Sequence, residues 1–315
     1  MQSRPISIAL AVVGLVLYGC APTGPEQSQE QDPAPQAPLQ SQPVAEPPEQ
    51  PREHTRVISN ITGDLYRTQD NAHYGVVLVT SEGIILADPI STDFAQWLKV
   101  ELAERFGVPV KYVIYSHYHG DHNSGGAVFS DTAEIIAHEN TLINLARGAD
   151  DERLRDVQPP DTTYSDRTTV TLGGKTVELI HSVPSHTDDS TLVVFPEERV
   201  VFAVDFVGVN RLPFRDMDGG PVGTWLAATE HLQATVDYDT LAAGHGEMGS
   251  KADVDDYQGY LEDLLAAVTE GVTAGKSLEE LQQSIVLEEY QDWAGYDNWL
   301  AGNIEAAHNG LTTNP

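Results

Sequence analysis

Four side chains that bind metals fall inside six residues of one short stretch, His117-Tyr-His-Gly-Asp-His122. The stretch directly follows the apolar run Val110–Tyr115, which reads as a buried strand. Imidazole and carboxylate are the ligands zinc prefers, and such sites also accept iron or manganese. His117 and His119, two apart on an extended strand end, point the same way and can share one ion. Gly120 lets the chain turn so that Asp121 and His122 aim at a second ion. A fold for this chain must therefore hold a strand-to-loop junction where ligands from elsewhere can converge.

Three further candidates occupy similar positions. His186 follows a strand ending near Val183, Asp205 closes the apolar strand Val200–Val204, and His245 sits between two glycines after Leu241–Ala243. A lone histidine or a strand-end aspartate is ordinarily structural. Here each would complete a cluster still short of ligands. The other histidines, His54, His73, His138, His181, His231 and His308, lack ligand spacing. His73, beside Tyr74, could line the pocket, but a structural role is the stronger reading.

The rest of the chain supplies two strand clusters, each followed by helices. Ile58–Arg67, Tyr74–Thr80 and Ile84–Asp88 read as strands, Phe94–Phe106 as an amphipathic helix stopped by Gly107, and Ala133–Ala137 as a strand before a helix over Glu139–Arg147. Gly148–Asp166 reads as a long loop of the kind that borders active sites. Then come a hairpin across Gly173-Gly174, a second hairpin over Thr191–Asp205, a helix over Val222–Thr235 and acidic helices from about Lys251 onward. This order predicts an α/β fold of two sheets packed face to face, with helices outside. Trp293, Tyr296 and Trp299 read as packing of the last helix rather than substrate contacts.

These ligands, in this order, resemble the metallo-β-lactamase superfamily of binuclear hydrolases over about residues 57–250. The resemblance implies a four-layer αβ/βα sandwich, here with extra C-terminal helices. It implies a first metal on His117, His119 and His186, a second on Asp121, His122 and His245, and Asp205 bridging both. The implied cofactor is two zinc ions, and the implied partner a small-molecule substrate. Two such ions bring a shared water to a pKa near about 7, giving a hydroxide for attack on an ester, lactone, thioester, amide or related bond. Asp121 would then act as general acid and base. The chain departs from the family at Ser185-His186-Thr187-Asp188-Asp189, where Gly-His-Thr-Pro-Gly is common.

A true β-lactamase is the chief alternative. In that branch the position of Asp205 is usually cysteine, and a lysine three residues on pairs with the antibiotic's carboxylate; here those positions hold Asp205 and Gly208. Arg211, six residues past Asp205, could supply the missing cation. A non-catalytic ligand-binding lipoprotein is a weaker rival, because all seven ligand positions are filled. A redox protein of the diiron kind on the same fold would normally need an appended flavin or iron–sulfur module, and one cysteine cannot ligate the latter.

The chain carries 17 basic and 48 acidic residues, a net charge of -31. Such a surface repels phosphates and argues against a nucleic-acid partner. The single cysteine, Cys20, ends an N-terminal apolar stretch too short to span a bilayer. Leu17-Tyr-Gly-Cys20 resembles a bacterial lipobox, which implies a signal peptide over 1–19, lipidation of Cys20 and attachment to the cell envelope facing the periplasm or exterior. Residues 20–56, rich in Pro, Gln and Glu, read as a disordered tether. Residues 57–315 form the hydrolase domain.

Overall fold

The computed structural model describes residues 54–313. The expected signal segment, Cys20 and nearly all of the tether lie outside the described residues. Among the described residues no helix is long and apolar enough to cross a membrane.

Twelve strands form two sheets. The first runs in sequence order from β1 (Arg56–Thr62) through β2 (Leu65–Asp70), β3 (His73–Thr80), β4 (Gly83–Ala87), β5 (Val110–Ile114) and β6 (Glu134–His138) to β7 (Thr162–Tyr164). Its first four strands pair antiparallel and its last four parallel. The second sheet has the order β12 (Thr240–Ala243), β11 (Val200–Ala203), β10 (Thr191–Phe195), β9 (Lys175–His181), β8 (Arg167–Leu172). Here only β11 and β12 are parallel, because a helix, α4 (Val222–Thr235), crosses between them.

Two expectations need correction. Ile58–Arg67 is not one strand: the chain reverses at Gly63, whose φ of 51° only glycine adopts freely, and β1 folds back on β2. The loop 148–166 contains β7, which extends the parallel edge beside β6.

Side-chain alternation places the layers. Along β3, Val76 and Leu78 enter the core between the sheets with Val177, Leu179, Val193 and Phe202. Val77 faces the other way, toward Phe94, Leu98 and Leu102 of α1 (Thr92–Phe106). On the far side, Leu192 and Val201 of the second sheet pack on Trp225 and Leu232 of α4, on Tyr257, Leu261 and Leu264 of α5 (Lys251–Thr273), and on Ile304 of the last helix. The result is the four-layer sandwich, helix on sheet on sheet on helix. Trp293, Tyr296 and Trp299 pack on this outer cluster, as expected.

The site's place follows from the parallel strands. β4, β5, β11 and β12 all end at one rim, where loops beyond strand C-termini leave a crevice. The sheets are tied there by Tyr74 N–H donating to Gly244 O at 3.0 Å.

Candidate metal centre

Every candidate ligand sits on a segment leaving or entering that rim. His117 follows β5, with Asn123 Nδ2 donating to its carbonyl at 2.6 Å. His119 precedes a single helical turn, α2 (Gly120–Asn123), which turns Asp121 and His122 inward. Gly120 is needed for space rather than for an unusual φ: a Cβ there would lie 1.9 Å from the carbonyl oxygen of Arg153. His186 lies in the loop between β9 and β10. That loop departs from the family sequence, and α3 (Glu139–Arg147) anchors it instead. Asn144 Nδ2 donates to Asp188 Oδ1 at 2.7 Å, and Thr141 Oγ1 donates to buried Asp189 at 2.7 Å. Burial raises the Asp189 carboxyl to a pKa of about 6.

Asp205 is the hub. Its Oδ2 lies 3.4 Å from Nε2 of His117, His122 and His186, and its Oδ1 lies 3.2 Å from His245 Nε2. It holds a left-handed φ of 68°, the kind of backbone strain that concentrates at functional sites. Burial opposes its charge, yet His122 and His245 keep its pKa well below the carboxylate range. Two sets of donor atoms form around it, each within 4.8 Å: His117, His119, His186 and Asp205, and His122, His245 and Asp205.

Outer partners fix which imidazole nitrogen faces inward. His245 Nδ1 donates to Ala72 O at 2.8 Å. His122 Nδ1 lies 3.2 Å from Asp88 Oδ2, and His186 Nδ1 lies 3.0 Å from Asp218 Oδ2; both are charge contacts rather than straight hydrogen bonds. Each arrangement favours the proton on Nδ1 and turns a lone pair inward on Nε2. Nε2 of His122 and of His245 then face each other at 3.2 Å, and His186 Nε2 faces His119 Nδ1 at 3.1 Å. His117 Nε2 and Asp205 Oδ1 are buried with no hydrogen-bond partner. Donor atoms converging in a buried pocket need a cation among them. Although burial opposes it, Asp205 and Asp88 raise the His122 pKa well above its ordinary value, and Asp218 and Asp205 raise that of His186, so protons hold that place until a metal displaces them. Burial first, then the neighbouring imidazole (His119 beside His117, His186 beside His119), lowers the pKa of both histidines, that of His119 to about 4. They are neutral near pH 7, the form that binds metal. The residues fit zinc.

Asp121 is brought to the second set with a further partner. Its Oδ2 lies 3.8 Å from His122 Nε2 and 3.4 Å from His73 Nε2, and His73, Asp121 and His245 form a third donor group. His73 is thus at the centre, contrary to the structural role expected of it. Its signal lies in topology: His73 bridges His245 across the sheets. Asp88 was also missed, although it closes a buried strand as Asp205 does. It is fully buried and takes Ser116 N–H at 2.8 Å and Ser116 Oγ–H at 2.7 Å. No pattern in the sequence marks Asp218.

The donors open into a cleft of about 860 Å³ lined by both halves of the chain, including Arg153, Leu154, Val207, Phe214, Trp225 and Arg211. Gly148, Asp151, Arg153 and Leu154 show that the long loop borders the cleft, as expected.

The comparisons agree with this geometry. A sequence model described as the metallo-beta-lactamase superfamily matches residues 73–245, a span that opens and closes on two histidines of the site. The chain belongs to the metallo-beta-lactamase superfamily. Within it, the chain is 30% identical over 190 residues to the 2,4-dinitroanisole O-demethylase subunit alpha of Nocardioides sp., covering 59% of this chain and 56% of that one. It is 24% identical over 275 residues to a linear primary-alkylsulfatase of Pseudomonas sp., covering 70% and 50%. The chain therefore spans about half the length of these curated relatives. A solved sec-alkylsulfatase from Pseudomonas sp. superposes with a TM-score of 0.67 at 13% identity, over 82% of this chain and 50% of that one. That likeness concerns the metallo-beta-lactamase fold alone.

Proposed function

We propose that the chain is a binuclear zinc hydrolase acting on an ester, lactone, thioester, amide or related bond of a small molecule. The observation that carries this is the convergence of the Nε2 atoms of His117, His122, His186 and His245 on Asp205. One ion would be held by His117, His119, His186 and Asp205. The second would be held by His122, His245, Asp205 and Asp121. Bound there, the pair supplies a water with a pKa near about 7 and polarises the oxygen of the bond under attack.

The protein's own groups do the proton work. Asp121 is half-exposed at the cleft, with His73 Nε2 3.4 Å from its Oδ2. Burial works against the Asp121 charge, but His73 and then His122 pull its pKa below the carboxylate range. Ionised Asp121 can accept a proton from the incoming water and return it to the departing atom, with His73 steadying the carboxylate throughout. Asp88, Asp218 and Ala72 O hold the three rings that would otherwise rotate.

A screen of zinc-loaded protein against those bond types tests the reading. Turnover of at least one class, abolished by chelator and lowered about 100-fold or more by Asp121→Asn, is expected from general acid–base roles. Chelator-resistant turnover, or none across the screen, would refute it.

We also propose that Cys20 is acylated and that the folded domain is tethered to the bacterial cell envelope. The support is the position of Cys20 after the short apolar segment. Metabolic labelling with a fatty acid should mark the wild type and not Cys20→Ala; an unlabelled wild type would end this reading.

A further inference from the structure

We propose that His138 is a positioning residue for the first metal set: its neutral imidazole caps α3, α3 holds the loop that carries His186, and a proton gained by His138 in mild acid lets that loop go. This role rests on the metal reading of the site and adds a pH-dependent hold on one of its ligands.

Histidine is an unusual residue at this place. Helix N-caps are ordinarily Ser, Thr, Asp or Asn, whose side-chain oxygen takes an orphan N–H. Elsewhere the chain follows that rule. Ser91 caps α1 by accepting from Phe94 N–H at 3.2 Å, and Ser277 caps α6 (Leu278–Ser284) by accepting from Glu280 N–H at 3.3 Å. At α3 the cap is His138, whose Nδ1 accepts from Asn140 N–H at 3.2 Å. Its other nitrogen is committed too, since Nε2–H donates to Ser165 O at 2.8 Å. Only the neutral tautomer with its proton on Nε2 satisfies both contacts. His138 is 3% exposed, so a lost contact there is not made good by water. A second proton would have to sit on Nδ1, facing an N–H at the positive end of a helix.

The groups around the ring oppose that proton on balance. His181 of β9 stacks on it with 3.7 Å between ring centres and 11° between planes, so charge on both rings would be repulsive. Tyr164 of β7 meets it edge-on at 5.6 Å, with its hydroxyl paired to Thr191 Oγ1. Two carboxylates favour the proton, Glu139 of α3 and Asp188 of the loop, but Glu139 is exposed and Asp188 Oδ1 is engaged by Asn144. Burial outweighs them and the Ser165 contact, and with His181 it holds the His138 pKa below its ordinary 6.5.

The proton's effect reaches His186 through α3. Asn140 Nδ2 donates to Asp188 O at 2.8 Å, Thr141 Oγ1 to Asp189 Oδ2 at 2.7 Å, and Asn144 Nδ2 to Asp188 Oδ1 at 2.7 Å. His181 Nε2 lies 3.0 Å from the same Asp188 carbonyl. Asn140 and Thr141 belong to the first turn of a helix of 9 residues, too short to hold that turn once its cap is lost. The frayed helix takes up the proton more readily than the capped one. The capped form is therefore fully favoured above the ordinary histidine value and is lost as pH falls below it.

Hydrogen exchange of α3 amides and retained zinc, both followed on the zinc-loaded full chain between about pH 7.5 and 5.5, test this. The ligand histidines and Asp189 also titrate in acid, so the comparison is with His138→Asn and His138→Ser, caps that do not. In wild type, α3 protection corrected for intrinsic exchange should fall by up to about 10-fold per pH unit, the limit for one proton. In both variants it should stay flat, and the first zinc should be retained to about half a pH unit or more below wild type. At about pH 7.5 both variants should hold as much zinc as wild type, whereas His138→Leu, which cannot cap, should lose α3 protection there. Flat α3 protection in wild type, or the same fall in the Asn and Ser variants, would overturn the proposal and leave the hydrolase reading standing. A falling α3 protection in a wild type that holds no zinc would overturn the metal reading, and with it the assignment of His138 to a metal ligand.

Discussion

Replacing Asp88 by Asn changes one atom's chemistry behind the second metal set and should be felt at the ion. Asp88 is fully buried; its Oδ1 accepts Ser116 N–H at 2.8 Å, and its Oδ2 accepts Ser116 Oγ–H at 2.7 Å and lies 3.2 Å from His122 Nδ1. Asparagine can keep the first contact with its one carbonyl oxygen. Its NH2 then takes the place of Oδ2 and points a donor at His122 Nδ1. Ser116 Oγ can adapt by accepting from that NH2 while it goes on accepting from His117 Nδ1–H, 2.9 Å away, which keeps the His117 Nε2 lone pair free. His122 has no such freedom. The proton must leave Nδ1 for Nε2, which removes the lone pair aimed at the ion. Loss of an outer partner of a metal-bound histidine weakens binding about 10- to 100-fold, or roughly 1.4 to 2.7 kcal/mol. Zinc titration against a competing chelator reads both steps. The expected result is a near-normal first ion and a second ion weakened by that factor. If both ions bind Asp88→Asn as they bind wild type, the tautomer argument is wrong.

Other perturbations read other parts of the site. Arg67 is buried, lies 3.5 Å over the Tyr74 ring and donates through Nη2 to Ala243 O at 2.7 Å and Gly246 O at 2.8 Å, so it holds the turn that carries His245. Arg67→Met leaves those two carbonyls unpaired and should cost about 2–5 kcal/mol of stability by denaturant titration, with weaker zinc binding; a loss below about 1 kcal/mol would contradict this. Burial raises the Asp189 carboxyl to about 6 from its ordinary value of 3.8, so the native state holds its proton more tightly than the unfolded chain does. That contribution is fully present below about pH 4 and is lost as pH rises through about 6, at most about 3 kcal/mol. Asp189→Asn should therefore flatten the pH dependence of stability between about pH 4 and 6 relative to wild type, and an identical slope would refute it. On zinc-loaded wild type, a chromogenic cephalosporin should turn over slowly beside the preferred substrate, since Asp205 stands in place of a thiolate; turnover to match a dedicated β-lactamase would restore the alternative.

The ligand cluster was legible because ligand chemistry is local: His117, His119, Asp121 and His122 share one turn, and His186, Asp205 and His245 each close a strand or follow one. The two-sheet arrangement was legible for a related reason, since period-two burial and turn residues are written into each segment. The hairpin at Gly63 was legible but overlooked: Gly63-Asp64 is a two-residue turn signal in the middle of the segment read as one strand. His73, Asp88 and Asp218 were hidden because their roles depend on pairing across the rim: His73 matters only once it bridges His245. Arg211 was visible as a residue but not as a direction, because its direction is set by Ala294, Trp299 and Asn303, more than eighty residues away in the chain.

The central claim is that Asp205 joins two metal sets. Metal analysis of wild type, His119→Ala and Asp205→Ala, purified without chelator and resupplied with zinc, tests it most directly. The expected contents are two ions per chain in wild type, at least one fewer in His119→Ala, and a loss at both sets in Asp205→Ala. Wild type with a single ion, or Asp205→Ala with a full complement, would contradict it.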